Sequence, residues 1–169
     1  MRILKGFGFI CLIGCQSPRK TSLQFMQELK MGEYDNASLL TIEGKVNAHP
    51  HETQTARKAV ARLFSKMEYK IIDVVTQNEQ ATVHVEINNV KTAEILAVVA
   101  METMKQGAND LYNHQKRTYD ESFLTGVQNQ IEAPDAQLVT TNVHLQLEKQ
   151  NAEWKITNQK KAIRQMLGL

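Results

Sequence analysis

His49 and His51 flank Pro50 and are followed by Glu52, and these residues form the densest group of potential metal ligands in the 169-residue chain. Imidazole nitrogens and a carboxylate oxygen are ligands that zinc or copper accepts in proteins. Because the ligands alternate along one short loop and no third histidine lies at a ligand-like spacing, they supply at most a partial, open site. The pattern favours the alternative, a solvated loop that caps the next helix.

A second pair of histidines, His84 and His144, lies in the middle of two predicted strands, each on the face opposite a row of aliphatic residues. If these strands are neighbours in the sheet, the two rings lie within reach of each other, with Glu86 and Asn142 beside them. Such a pair would form a pH-sensitive or metal-binding patch if it faced a pocket. The pattern favours the alternative, in which both histidines belong to the polar outer side of a half-buried sheet.

Asp73 is the only carboxylate embedded in a strand as apolar as EYKIIDVVTQ, which makes it the candidate for acid–base catalysis. Strict alternation places Ile71, Asp73 and Val75 on one face, so that Asp73 points inward. Alternatively, Asp73 lies on a face that Lys70 and neighbouring charged residues keep exposed to solvent. No histidine or tyrosine is tied to Asp73 by spacing, and the chain has no serine-nucleophile elbow, phosphate loop or dinucleotide fingerprint. We therefore predict no catalytic residue and no cofactor.

The first 14 residues, MRILKGFGFICLIG, have the three parts of an export signal. Arg2 and Lys5 form a positive end, an apolar stretch follows from residue 6 to 13, and the small residue Gly14 closes the segment. An apolar run of about eight residues is much shorter than the roughly 20 residues that a membrane-spanning helix needs. The pattern therefore indicates a signal peptide rather than a transmembrane span.

The segment ends in Leu12-Ile13-Gly14-Cys15, which resembles the lipobox of bacterial lipoproteins. In that family the cysteine thiol carries diacylglycerol, and a signal peptidase cuts just before the cysteine. The resemblance implies cleavage between Gly14 and Cys15, a lipidated Cys15 at the new N-terminus, and a tether over residues 15–21. Two alternatives remain open: Cys11 and Cys15 are small apolar residues of a buried element, or they form a disulfide, which would close only a very short loop.

The elements that position these residues follow from a change of hydrophobic period along the chain. Helical spacing precedes and separates two regions of strand-like alternation, and a single α+β domain over residues 22–169 is expected. Its sheet is antiparallel, curved, of about four strands, and packed against several helices. The predicted helices cover a segment from Thr21 or Ser22 to Gly32, a short piece near 39–42, and 56–64, 91–106, 109–130 and the C-terminus; the predicted strands cover 68–77, 81–90, 137–150 and 152–157.

Three segments, QELKMGEYDNAS, ATVHVEINNV and LEKQNAEWKIT, resemble the helix, strand and final hairpin of small exported lipoproteins with a nuclear-transport-factor-two-like, or cystatin-like, domain. The resemblance covers most of residues 22–169. It implies a cone-like fold with a curved sheet and a cavity. The two helices predicted between residues 91 and 130 are longer than the minimal fold needs, so the strand order stays open.

The charge balance and the cysteine content limit the classes of function that the chain can have. The net charge is +2, and removal of residues 1–14 takes away Arg2 and Lys5 but no acidic residue, which leaves 18 basic and 18 acidic residues. Such a balance does not provide the clustered positive charge that nucleic acids require, so no nucleic-acid partner is predicted. With Cys11 discarded and Cys15 lipidated, no thiol remains for catalysis or for metal binding.

The sequence thus predicts a lipid-anchored protein of the bacterial cell envelope, on the outer side of a membrane. Its membrane contact is the N-terminal lipid, and its domain is a non-catalytic binding module for a protein or a small ligand. Two alternatives remain: an envelope enzyme of the same fold, such as an isomerase or hydrolase, and a structural or assembly factor for a membrane complex. An acid or histidine inside a pocket would favour the enzyme, and an exposed apolar patch would favour the assembly factor.

Overall fold

The computed structural model describes residues 16–44, 46, 54–112 and 119–168. His49, His51, Gly14 and Cys15 lie outside these residues. The described elements follow one another as helices α1, α2 and α3, a hairpin of β1 and β2, helices α4 and α5, a second hairpin of β3 and β4, and a final helix α6. Their bounds are α1 Pro18–Met31, α2 Tyr34–Leu39, α3 Gln54–Ser65, β1 Glu68–Gln77, β2 Gln80–Val90, α4 Thr92–Tyr112, α5 Tyr119–Glu132, β3 Leu138–Gln150, β4 Glu153–Ile156 and α6 Gln159–Met166.

The four strands form one antiparallel sheet in the order β1-β2-β3-β4. Each hairpin turns tightly: Asn78 between β1 and β2, and Asn151 and Ala152 between β3 and β4, have positive φ, as tight hairpin turns require. Helices α4 and α5 connect the central strands β2 and β3. The predicted α+β class, with a four-stranded antiparallel sheet packed against helices, is confirmed.

The core lies between one face of the sheet and the helices. On β2 and β3 alternate residues are buried, because side chains in a strand point to opposite faces in turn. Helix α1 contacts β1, β2 and β4, helix α3 contacts β2, and helix α6 contacts β3, while α5 packs against α3 and α4. Full burial of one large aliphatic side chain contributes about 1.5–3 kcal/mol. The central residues of this core are Phe25, Met26, Leu29, Leu63, Phe64, Val83, Val85, Ile87, Val143, Leu145, Leu147 and Ile156.

Helix α1 begins earlier than the predicted start at Thr21 or Ser22. The Ser17 hydroxyl accepts a hydrogen bond from the Lys20 N–H at 3.2 Å, and Pro18 occupies the first turn. Proline suits this position because its ring presets a helical φ and its missing N–H would have no partner there. Residues 18–21, which the sequence assigned to the tether, are therefore the first turn of the domain.

The boundary between the two long helices is also displaced from its predicted place between residues 106 and 109. Helix α4 continues to Tyr112, and α5 begins at Tyr119. One glycine inside a helix costs about 1 kcal/mol, which is too little to end a helix whose apolar face is packed. Gly107 alone therefore does not end α4.

Candidate functional site

His84 and His144 lie directly opposite each other on the two central strands, β2 and β3. Their ring centroids are 4.4 Å apart, and the ring planes are inclined at 40°. His84 is half-buried and His144 is exposed, and both lie on the face of the sheet that the helices do not cover. The structure thus meets the condition left open by the sequence, that the two strands are neighbours.

The closeness of the two rings follows from the hydrogen-bonding pattern of the strands. The His144 carbonyl accepts a hydrogen bond from Asn158 Nδ2 at 2.8 Å, and the Gln146 N–H donates to Asn158 Oδ1 at 2.9 Å. The backbone groups of His144 therefore point away from β2. In an antiparallel pair, opposite residues of this kind form the non-hydrogen-bonded pairs, whose Cα atoms are only about 4.5 Å apart. The two imidazoles consequently meet without any distortion of the sheet.

Asn158 is a residue that the sequence analysis missed. It lies between β4 and α6. Its side-chain amide bonds to backbone groups of β3 beyond the point at which β4 ends. Thr157 extends this contact, because its N–H donates to the Gln146 carbonyl at 2.8 Å. From sequence alone an asparagine before a helix indicates an N-cap, but its side chain makes no capping hydrogen bond here. The amide instead holds the backbone beneath His144.

Asp73 pairs with His84 across the β1–β2 ladder and is exposed. A register shift between Ile71 and Asp73 places one extra residue, Ile72, in β1. A bulge of this kind reverses the faces of the following residues, so Ile71 points into the core whereas Asp73 shares the outer face with His84. Of the two orientations that the sequence left open, the structure has the outer one.

The histidines lie within a polar surface formed by matching rows of the sheet. One row runs from Asp73 through His84 to His144, and the next from Lys70 through Glu86 to Asn142. Both carboxylates are exposed. We call the five residues Asp73, His84, Glu86, Asn142 and His144 the outer-face cluster. Its two imidazoles and two carboxylates are groups that attract and bind cations.

Three shallow grooves lie on the described surface, and Glu86 is the one member of the cluster that lines any of these three. A groove of 280 Å³ lies over one end of the sheet, and a larger one of 540 Å³ lies between that end and the C-terminus of α5. A third, also of 280 Å³, lies near the β1–β2 turn. Asp73, His84 and His144 line none of the three. The first groove is lined by Glu68, Tyr69, Lys70, Glu86, Asn88 and Thr140.

Within the described part of the chain, no group of three or more histidine, cysteine or acidic side chains is arranged to hold a metal ion. The two imidazoles of the outer-face cluster are therefore at most two ligands of a site with open positions. The candidate ligands His49 and His51 and the lipidation position Cys15 fall outside the described residues, and the geometry bears on none of them.

Comparison with known proteins gives no relative: no protein-family model, no curated protein and no solved structure matches the chain. In the residues that the structure describes, every helix is too short or too polar to cross a membrane.

Proposed function

We propose that the chain is a bacterial lipoprotein, held on the outer side of a membrane by lipid on Cys15, whose α+β domain is a non-catalytic binding module. The observation that carries the proposal is the sequence Leu12-Ile13-Gly14-Cys15, placed after a positively charged and then apolar segment. Two or three acyl chains, at about 0.8 kcal/mol per buried CH₂, anchor a protein durably without a membrane span.

The start of α1 determines how close the domain would lie to the membrane. Ser17 caps the helix and Pro18 opens it, so the folded domain begins within three residues of Cys15. An extended chain covers at most about 3.6 Å per residue, and the domain would therefore lie within about 10 Å of the lipid headgroups. A binding surface at this distance serves a ligand or partner at the membrane rather than one far from it.

The non-catalytic part of the proposal is supported by the positions of Asp73, the candidate catalytic residue, and of His144. A catalytic acid or base acts best in a site from which bulk water is excluded. Asp73 and His144 are exposed on an open sheet face, and neither lines a groove described above. An open, polar face with paired side chains is suited to holding a ligand or partner by surface contacts.

The test of the anchor is expression of the full chain in a bacterium that processes lipoproteins, with labelled palmitate in the medium. We expect the label on the protein, and mass spectrometry should find a mature N-terminus at Cys15. Cys15→Ser should abolish the label and leave residues 1–14 in place. Cys11→Ser is the matched control, because the proposal removes this cysteine with the signal peptide, and it should be processed like the wild type.

Two results would overturn the anchor. One is a membrane fraction in which residues 1–14 are intact and Cys15 is unlipidated. The other is a Cys15→Ser variant that incorporates as much label as the wild type.

A further inference from the structure

We infer that His84 and His144 form a two-imidazole site for a divalent transition-metal ion, with copper(II) as the preferred ion. Neutral imidazole suits copper, nickel and zinc, whereas magnesium and calcium prefer oxygen ligands. The inference supplies a ligand class for the binding role proposed above and rests on that role for its biological meaning. Binding of the ion itself requires only the folded sheet.

The spacing of the rings is compatible with a tetragonal ion. Two imidazoles in adjacent positions of such an ion, with metal–nitrogen bonds of about 2.0 Å, have ring centroids about 4.5 Å apart; a tetrahedral ion separates them by about 5.2 Å. The observed separation of 4.4 Å is close to both values, so that rotation of the side chains can bring both imidazoles to one ion. Copper(II) and nickel(II) adopt the tetragonal geometry, and copper(II) binds a given set of nitrogen ligands more tightly than nickel(II) or zinc, which makes it the preferred ion.

The backbone beneath the two ligands is held on both sides, which reduces the entropy lost when an ion binds. β2 is paired with β1 on one side and β3 on the other. β3 is paired with β2, and on its other side the Asn158 amide bonds both His144 and Gln146. Only side-chain rotation is therefore needed to bring the two nitrogens to the ion.

The charges around the pair favour a cation. Asp73 lies beside His84 in the same row of the sheet, and Glu86 lies on the same face of β2, two residues from His84. Lys70, opposite Glu86, is the basic residue of the neighbouring row. Two carboxylates and one lysine give this part of the surface a net negative charge. The resulting negative potential raises the concentration of cations at this face of the sheet.

The site leaves coordination positions open, because no third histidine, cysteine or acidic ligand completes it within the described residues. Water or a group from a partner would fill these positions. An ion bound in this way exchanges readily and can be passed to or received from another molecule. We therefore assign the site to exchangeable rather than structural metal.

The test uses the full chain in detergent with Cys11→Ser and Cys15→Ser, which removes both thiols and prevents lipidation. Metal binding is then measured independently of the anchor, so failure of one proposal leaves the other standing. Calorimetric titration with copper(II) alone should give one ion per chain at this site. The electron paramagnetic resonance spectrum should show two coordinating nitrogens in tetragonal geometry.

Further variants in this background assign the ligands. His84→Asn and His144→Asn should each lower the affinity by at least about tenfold, as loss of a direct ligand costs at least as much as loss of an outer-shell partner. Each should also remove one nitrogen from the spectrum. The chain has five histidines, so the control replaces the other three, His49→Asn, His51→Asn and His114→Asn, and should keep the affinity and both nitrogens.

Circular dichroism and thermal unfolding without metal show whether each variant is folded, and we expect unchanged folding because the outer-face histidines lie outside the core. The inference is overturned if folded His84→Asn and His144→Asn bind copper like the parent. It is also overturned if the three-histidine control loses the site, since the ligands would then lie elsewhere in the chain.

Discussion

Replacement of Asn158 by alanine tests how the outer face is held. The substitution removes two hydrogen bonds, from Nδ2 to the His144 carbonyl at 2.8 Å and from the Gln146 N–H to Oδ1 at 2.9 Å. Each bond contributes about 0.5–1.5 kcal/mol net. Asn158 is only half-buried, so water compensates in part, and we expect a loss of about 1–2 kcal/mol in the free energy of unfolding. For a domain of this size the melting temperature should fall by about 2–8 °C.

Asn158→Asp separates the two bonds. Aspartate keeps an acceptor for the Gln146 N–H but replaces the donor to His144 with a second oxygen, which faces the carbonyl oxygen. At neutral pH this variant should be destabilised at least as much as Asn158→Ala. Asn129→Ala is the control, because Asn129 is exposed on α5 and its loss should be neutral or slightly stabilising.

The assay is urea unfolding followed by circular dichroism, with the slope of the transition compared between variants to verify that the unfolded state is unchanged. Asn158→Ala within about 0.3 kcal/mol of the wild type, which lies inside the scatter of ordinary surface substitutions, would refute the reasoning. Wild-type stability of Asn158→Asp would refute the role of the donor in particular.

Two further perturbations test the backbone and the edge of the core. Gly32 ends α1 at φ 76°, and an added Cβ would lie 3.1 Å from that of Ala61; Gly32→Ala should therefore cost about 1–2 kcal/mol. Gly44→Ala, at φ 61° with open space around it, should cost less in the same urea assay, and equal losses would exclude the Ala61 contact as a cause. Burial raises the pKa of the Tyr69 phenol above its usual 10.0, so that at high pH the unfolded chain ionises first. The contribution of Tyr69 to the free energy of unfolding should be complete below about pH 10 and be lost as the pH rises through the folded pKa. Between pH 8 and pH 11 the free energy of unfolding should therefore decline less for Tyr69→Phe than for the wild type, and an equal decline would contradict this assignment.

The order of elements could be predicted from the sequence because two periods are visible in it. Alternation at Val83, Val85 and Ile87, and again at Val143, Leu145 and Leu147, predicts strands with one buried face. The His84–His144 pair was conditional on β2 and β3 being neighbours. Alternation within a strand assigns faces but not partners, and the long α4–α5 connection leaves several pairings open. The contact between His84 and His144 could therefore be established only from the structure.

The failures have local causes. The start of α1 was misplaced because Thr21 and Ser22 have the residue types of a cap, although both are buried in the helix and Ser17 caps it. The outer position of Asp73 depends on the bulge at Ile72, and a single extra residue in a strand leaves no signal in a hydrophobic pattern. The Asn158 side chain bonds to the backbone of β3, and a contact of this kind with another element is not predicted by spacing along the chain.

Asn158 and the bulge in β1 both affect whether a strand of another molecule can add to the edges of the sheet. β1 and β4 are the outer strands of the sheet; β4 pairs with residues 147–150 of β3, and on its other side Ile156 exchanges backbone hydrogen bonds with Leu40 and Ile42. The uncovered backbone of a sheet edge is a template on which a strand of another chain can add. At one edge the bulge interrupts the regular row of donors and acceptors, and at the other the Asn158 amide already occupies the backbone groups of His144 and Gln146. Both features oppose growth of the sheet from one molecule to the next.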